Sequence, residues 1–164
     1  MDEPEPRGTI KYDLNVRVWG GVGFQGLTPL YRIPQSMTGT GYRDFLATKV
    51  YPDMRKKLGY NWAFQHDGDG SHTAVVVRQW LDQQRVQWIT DWPARSPDLS
   101  PIENLWSILG QRMESRNITT KDGLWRALKE EWGKINLEIC QNLAASLPKR
   151  LQLVIDAEGA AIDY

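Results

Sequence analysis

The sequence has little cysteine, little histidine and no excess of either charge. Its 164 residues include one cysteine, Cys140, and two histidines, which leaves neither a disulfide framework within the chain nor a zinc site made of cysteines alone. The 20 basic and 20 acidic residues balance to zero net charge at pH 7. No overall positive field therefore marks the chain as a nucleic-acid binder, although a local basic patch is still compatible with DNA.

The sequence also lacks a long apolar run. No segment approaches the length of a membrane span, and residues 1–7 are acidic and rich in proline, unlike a signal peptide. We therefore expect a soluble, intracellular protein with no membrane partner. The length and the 41% hydrophobic content suit one ordinary domain. We expect residues 1–13 to be a disordered or extended segment and residues 14–164 to form that domain.

Hydrophobic periodicity predicts an α/β arrangement. Alternating apolar residues indicate strands, and apolar residues spaced by three and four indicate helices. In chain order the pattern predicts a β-hairpin (14–22 and 27–33), a helix (38–57), a strand (62–65), a helix (73–84), a strand (86–89), a helix from Ser100, and two or three covering helices (119–155). Because helices separate the later strands, we expect those strands to run parallel through helical crossovers.

An acidic cluster directly follows the strand predicted at 62–65. Its sequence is His66-Asp67-Gly68-Asp69-Gly70-Ser71-His72. Asp67 and Asp69 are also residue types that accept hydrogen bonds from nearby backbone amides in turns. A zinc site with His66 and His72 is a weaker alternative, since no close third histidine or cysteine completes a usual ligand set.

A second carboxylate, Glu103, lies in the first turn of the helix predicted from Ser100. Ser100 suits the N-cap and Pro101 the first helical position. Ser100 and Glu103 also fit a capping box, in which the glutamate bonds back to the N-cap amide. Alternatively, acidic residues after a strand and at a helix start commonly meet in one crevice. There they can hold Mg²⁺ or Mn²⁺ for phosphodiester transfer, which ordinarily takes three or more carboxylates around two ions.

Two segments that contain these acids resemble a known family. Residues 64–73 and 92–106 resemble the second and third acidic motifs of mariner-type DDE transposases, and the second segment is highly specific. Further similarity extends over nearly the whole chain, at 16–21, 42–52, 147–151, Ile155 and Tyr164. The resemblance implies a ribonuclease H-like α/β fold, in which helices flank a mixed sheet and C-terminal helices cover it.

The resemblance also implies a chemistry. Family members use three acidic residues and two divalent ions to cut DNA at transposon ends and join those ends to a target. By position, Asp67 is similar to the second acid and Glu103 to the third, which makes both catalytic residues and metal ligands. The implied cofactor is Mg²⁺ or Mn²⁺, with no small-molecule cofactor. The implied partner is DNA, with a homodimer as a candidate assembly and the nucleus as a candidate location.

The sequence departs from the family pattern at its beginning. The family's first acid lies on a strand some tens of residues before 16–19, and neither Asp2 nor Asp13 matches it. The family's helix-turn-helix region also has no counterpart here. We therefore expect an N-terminally truncated domain with poor hydrolysis and exposed sheet edges that favour association. The alternative function is a catalytically silent transposase remnant that binds DNA or protein through basic groups at 55–57, Arg112, Arg116 and 149–150.

Overall fold

The computed structural model describes residues 14–93 and 96–164. The expectation for residues 1–13 lies outside that range. The strands are β1 Val18–Trp19, β2 Val22–Gly23, β3 Gly26–Leu27, β4 Tyr31–Arg32, β5 Ala63–Phe64 and β6 Gln87–Trp88. The α-helices are α1 Gly39–Phe45, α2 Tyr51–Leu58, α3 Val75–Gln83, α4 Pro101–Glu114, α5 Lys121–Gly133, α6 Leu137–Ala145 and α7 Leu147–Asp156. A π-helical turn, Leu46–Val50, joins α1 to α2, and a 3₁₀ turn, Pro97–Leu99, precedes α4.

The predicted hairpin is confirmed, but its ladder is interrupted. β1 pairs antiparallel with β4, and β2 pairs antiparallel with β3. Between the two ladders the chain passes through Gly20, where a Cβ would lie only 2.8 Å from the Trp132 ring. That ring stacks on Trp106 at a centroid distance of 5.4 Å. The hairpin is thus packed against α4 and α5 at a position that only glycine fits.

The predicted parallel crossover is also confirmed. β5 pairs in parallel with β6, and α3 lies between them in the chain. The backbone N–H of Ile89 extends the ladder by donating to the Phe64 carbonyl at 3.1 Å. The acidic cluster at 66–72 therefore lies just beyond the carboxyl end of a parallel strand, as the sequence pattern indicated.

The helix predicted at 38–57 forms, with one feature that periodicity did not predict. Thr38 caps it by accepting from the Gly41 amide at 3.0 Å, and Gly59 ends it with a φ of +72°. Tyr42, Leu46 and Val50 are all buried at a strict spacing of four. Such a spacing drifts around an α-helix of 3.6 residues per turn, and the wider π turn offsets that drift.

Two hydrophobic clusters lie on opposite sides of the strands. One is built on α1, the π turn, α2 and α3, and the other on α4, α5 and α6. Val18 packs against the second cluster and Trp19 against the first, because successive side chains of a strand point to opposite faces. The covering helices predicted over 119–155 are confirmed as α5, α6 and α7, and Cys140 is buried in the second cluster. In the ranges described, no helix is long and apolar enough to cross a membrane.

Candidate active site

A cleft of about 990 Å³ lies between the hairpin, the end of β5 and the start of α4. Asp67 lines it from the loop after β5, and Glu103 lines it from the first turn of α4. Apolar side chains from both clusters, including Met54 and Trp106, form much of the remaining wall. The two acids singled out in the sequence, 36 residues apart, thus face one cleft.

Asp67 is held by contacts within its own loop. Its Oδ1 accepts from the Asp69 amide at 3.1 Å and lies 2.5 Å from Nδ1 of His72. Both contacts use the same oxygen, while the side chain is 71% exposed. The loop therefore fixes the orientation of Asp67 and leaves its second carboxylate oxygen directed away from these contacts.

Asp69 makes more hydrogen bonds within the loop than Asp67 does. Its carboxylate accepts from the Ser71 amide at 2.9 Å and from the Ser71 hydroxyl at 2.5 Å. These hydrogen bonds, first of all the one from the hydroxyl, lower the pKa of Asp69. Asp67 and Asp69 thus both accept from the amide two residues on, as the turn alternative for this cluster predicts, and Asp69 also accepts from the Ser71 hydroxyl.

The two histidines pack as aromatic rings. His66 stacks on His72 with ring centroids 5.4 Å apart, and His72 packs on Tyr42 at 4.1 Å. Burial lowers the pKa of His66 to about 4, so this imidazole is neutral at pH 7. Within residues 14–93 and 96–164, no three histidine, cysteine or acidic side chains form a group that could hold a metal ion. The zinc alternative therefore has no support in the described geometry.

The capping box, one of the two alternatives that the sequence left open for Glu103, does not form. The Ser100 hydroxyl makes no capping hydrogen bond, and the Ser100 amide already donates to the Pro97 carbonyl at 3.1 Å. The 3₁₀ turn before α4 accounts for this, because it takes the amide that Glu103 would have bonded. Only the Ser100 carbonyl serves the helix start, where it accepts from the Glu103 amide at 3.1 Å. The Glu103 carboxylate has no local capping role.

Glu103 experiences repulsion from the other acid. Burial raises the pKa of Glu103, and the negative charge of Asp67 raises it further. In the ion pairs formed by the described residues, Asp67 meets only His72 and Glu103 takes no part. Two carboxylates that repel each other and lack a lysine or arginine partner are suited to a cation between them.

The structure adds a residue that sequence reasoning assigned wrongly. Arg150 was grouped with surface basic residues, but its exposure is 0% and its guanidinium donates to Asn104 Oδ1 at 2.8 Å. Arg112 and Arg116, from the same group, form ion pairs with Glu131. A sequence signal for Arg150 did exist, because the resemblance includes 147–151, but periodicity alone places no arginine in a core.

Comparison with known proteins identifies the family. The pattern of the DDE superfamily endonucleases matches residues 4–125, well over half of the chain. The Tc1 transposase of Caenorhabditis elegans is 35% identical over 150 residues, which cover 92% of this chain and 55% of that protein. The Tcb1 transposase of Caenorhabditis briggsae has the same identity and coverage. The chain spans about half the length of these curated relatives.

Solved structures agree in fold. The catalytic domain of Mos1 transposase with Raltegravir and Mg matches at a TM-score of 0.78 and 17% identity, over 90% of this chain and 85% of that one. The Mos1 mariner paired end complex with Mn matches at 0.80 and 18%, over 99% of this chain and 48% of that one. These matches confirm the ribonuclease H-like α/β fold. The family match over residues 4–125 establishes that the chain belongs to the DDE superfamily endonucleases, and the relatives it resembles are transposases of the Tc1 and mariner type.

Proposed function

We propose that this chain is the nuclease and strand-transfer part of a transposase, with Asp67 and Glu103 as its metal ligands and catalytic carboxylates. The observation that carries the proposal is the approach of these two acids from separate elements to one cleft, close enough for Asp67 to raise the pKa of Glu103. We propose Mg²⁺ or Mn²⁺ as the cofactor and DNA as the substrate.

The donor set suits such an ion. Carboxylate oxygens are the ligands that Mg²⁺ prefers, and Mg²⁺ usually keeps waters or substrate phosphates in its remaining positions. When bound, the ion lowers the pKa of an attacking water and stabilises the charge that develops on the leaving oxygen.

The chain's own residues orient the reacting groups. His72 holds Asp67 through the 2.5 Å contact to Oδ1, a type of outer contact that fixes a ligand's direction. Glu103 lies in the first turn of α4, where the positive end of the helix dipole favours a nearby anion such as a DNA phosphate. Lys57, which also lines the cleft, adds a positive charge on the hairpin side.

The number of carboxylates sets the expected rate. Two-ion sites ordinarily take three or more carboxylates. Here Asp67, Asp69 and Glu103 line the cleft, but the Asp69 carboxylate is engaged in its turn. We therefore expect residues 14–164 alone to be a weak nuclease. The remaining ligand would have to come from a residue other than Asp67 and Glu103.

The partners and location are proposals from the relatives. Mos1 transposase forms a paired-end complex with a left transposon end. We propose that this chain likewise acts on transposon-end and target DNA, as a homodimer, in the nucleus or elsewhere inside the cell. The alternative, a silent remnant that binds DNA through basic groups at 55–57, predicts binding without cleavage.

A nicking assay with Mn²⁺ on supercoiled plasmid tests the proposal. Asp67→Asn and Glu103→Gln should each reduce nicking at least a hundredfold, because each removes a ligand of the charge-stabilising ion. Asp69→Asn is the matched control from the same loop and should retain activity. Equal nicking by all four proteins would overturn the proposal. DNA binding that is sensitive to salt, survives both substitutions and never leads to nicking would favour the silent remnant.

A further inference from the structure

Arg150 joins three separate segments of the chain from a fully buried position. Its Nη1 donates to the Asp98 carbonyl at 2.9 Å, and its Nη2 donates to Asn104 Oδ1 at 2.8 Å. Its Nε donates to the Ser146 hydroxyl at 2.8 Å. The planar guanidinium thus uses three directions at once, which a lysine ammonium on a flexible stem does not reproduce.

The acceptors of Arg150 are unusual for a buried cation. All three are neutral oxygens, and the carboxylate of nearby Asp98 is occupied by the amides of Leu99 at 3.2 Å and Ile162 at 3.0 Å. A buried charge without a bonded carboxylate costs stability relative to a well-packed apolar side chain. Its presence here indicates that the fold needs the fixed arrangement of the Asp98, Asn104 and Ser146 oxygens around the guanidinium.

The contacts of Arg150 flank Glu103. Asp98 lies in the 3₁₀ turn before α4, and Asn104 is the residue directly after Glu103. Tyr164 completes the enclosure, because its ring centroid lies 4.0 Å from the Arg150 guanidinium carbon and its carbonyl accepts from Asn104 Nδ2 at 3.4 Å. Ser100 makes no side-chain cap, so the start of α4 is held instead by the contacts of Arg150 with Asp98 and Asn104 and by that of Tyr164 with Asn104.

We propose that Arg150 is a positioning residue, which holds the first turn of α4 in the orientation that directs the Glu103 carboxylate into the cleft shared with Asp67. Arg150 itself does not line that cleft. The expected effect on metal affinity rests on the proposed function. The role of Arg150 in holding the first turn of α4 does not.

Arg150→Lys tests the inference, and Arg112→Lys is its matched control. Arg112 lies near the C-terminal end of α4, where its Nη1 donates to the carbonyl and carboxylate of Glu131 at 3.3 Å. By titration with Mn²⁺ alone, Arg150→Lys should weaken binding about 10-fold, the lower end of the range for loss of outer contacts, because Arg150 bonds to the neighbours of Glu103 and not to Glu103 itself. Arg112→Lys should bind Mn²⁺ like the unsubstituted protein. Equal affinity of the two variants would overturn the inference.

Hydrogen exchange without metal separates this inference from the proposed function. In Arg150→Lys, the amides of Leu105 and Trp106, which bond to carbonyls of the first turn of α4, should exchange at least tenfold faster, while amides near Arg112 stay protected. Arg112→Lys should show the opposite pattern. Suppose that Asp67→Asn and Glu103→Gln bind Mn²⁺ as tightly as the unsubstituted protein, while Arg150→Lys still shows this exchange pattern. The proposed function would then be wrong, and the role of Arg150 in fixing the first turn of α4 would still be supported.

A second variant keeps the inference testable if Arg150→Lys does not fold. Asn104→Ala removes one of the three acceptors and leaves Arg150 in place. It should weaken Mn²⁺ binding and speed exchange at Leu105 in the same direction, by a smaller factor. Unchanged binding and unchanged exchange in a folded Asn104→Ala protein would contradict a role for the Arg150–Asn104 contact.

Discussion

The two halves of the candidate site are held in place in different ways. In the loop after β5, Asp67 and Asp69 each accept a hydrogen bond from the amide two residues further along the chain. The contact with the largest sequence separation in this loop joins Asp67 to His72, five residues away. At the start of α4, the contacts from Arg150 to Asn104 and Asp98 span 46 and 52 residues, and the one from Ile162 to Asp98 spans 64. The hydrogen bonds of the first half are local, whereas those of the second half depend on the C-terminal part of the chain.

This difference predicts how each half responds to damage. Local hydrogen bonds in an exposed loop are individually weak, and water can replace them. Contacts from a buried charge to distant segments form only when the whole domain folds, so their loss affects both the site and global stability. The Glu103 half should therefore be the more sensitive of the two.

Arg150→Met should have the largest effect on stability. It leaves the Asp98 carbonyl and Asn104 Oδ1 without their buried donor, and each buried acceptor that loses its partner costs about 1–3 kcal/mol. Urea denaturation at pH 7 would measure the loss of unfolding free energy. A loss below about 1 kcal/mol would mean that the C-terminal contacts do not hold the start of α4 more firmly than the loop holds Asp67.

Acid should weaken the loop half through His66. Its pKa of about 4 in the folded chain lies below the ordinary 6.5, so stability is complete above about pH 6.5 and falls as the pH drops towards 4. The loss should reach up to about 3 kcal/mol. Denaturation of metal-free protein and of His66→Gln at pH 7 and pH 4 isolates this contribution. Equal pH dependence in both proteins would contradict it.

Ser71→Ala should have a small effect on stability. It removes the hydroxyl that donates to Asp69 but keeps the backbone amide that donates to the same oxygen. We expect a loss of about 0.5–1.5 kcal/mol in unfolding free energy, the usual value for one exposed hydrogen bond. If thermal unfolding shows a cost equal to that of Arg150→Met, the contrast between the two halves is wrong.

Glu103→Gln should have the smallest effect on stability, and it should stabilise the protein where the other changes destabilise it. Because burial and Asp67 raise the pKa of Glu103, its charged form is disfavoured in the folded chain at neutral pH. Without metal, the neutral amide should increase stability at pH 7 by under about 1 kcal/mol, since the side chain is largely exposed. The gain should vanish at low pH, where Glu103 is protonated. A loss of stability at pH 7 would indicate a structural role for this carboxylate.

The same contrast explains what sequence reasoning could predict. The helices, the hairpin and the parallel crossover follow from apolar spacing, which is a local pattern. The turn around Asp69 also follows from its neighbours. The sequence could not decide against a capping box at Ser100, because the Pro97 carbonyl takes the same amide and that contact depends on the exact backbone path. The buried Arg150 was missed because its partners lie on other elements, and only the tertiary fold brings them together.

The central claim is that Asp67 and Glu103 share a divalent cation. The most direct test is a crystal structure of this chain with Mn²⁺, read from the anomalous signal of the ion. The claim predicts a peak in the cleft within coordination distance of both carboxylates. A peak bound to only one of them, or at His66 and His72 instead, would contradict it.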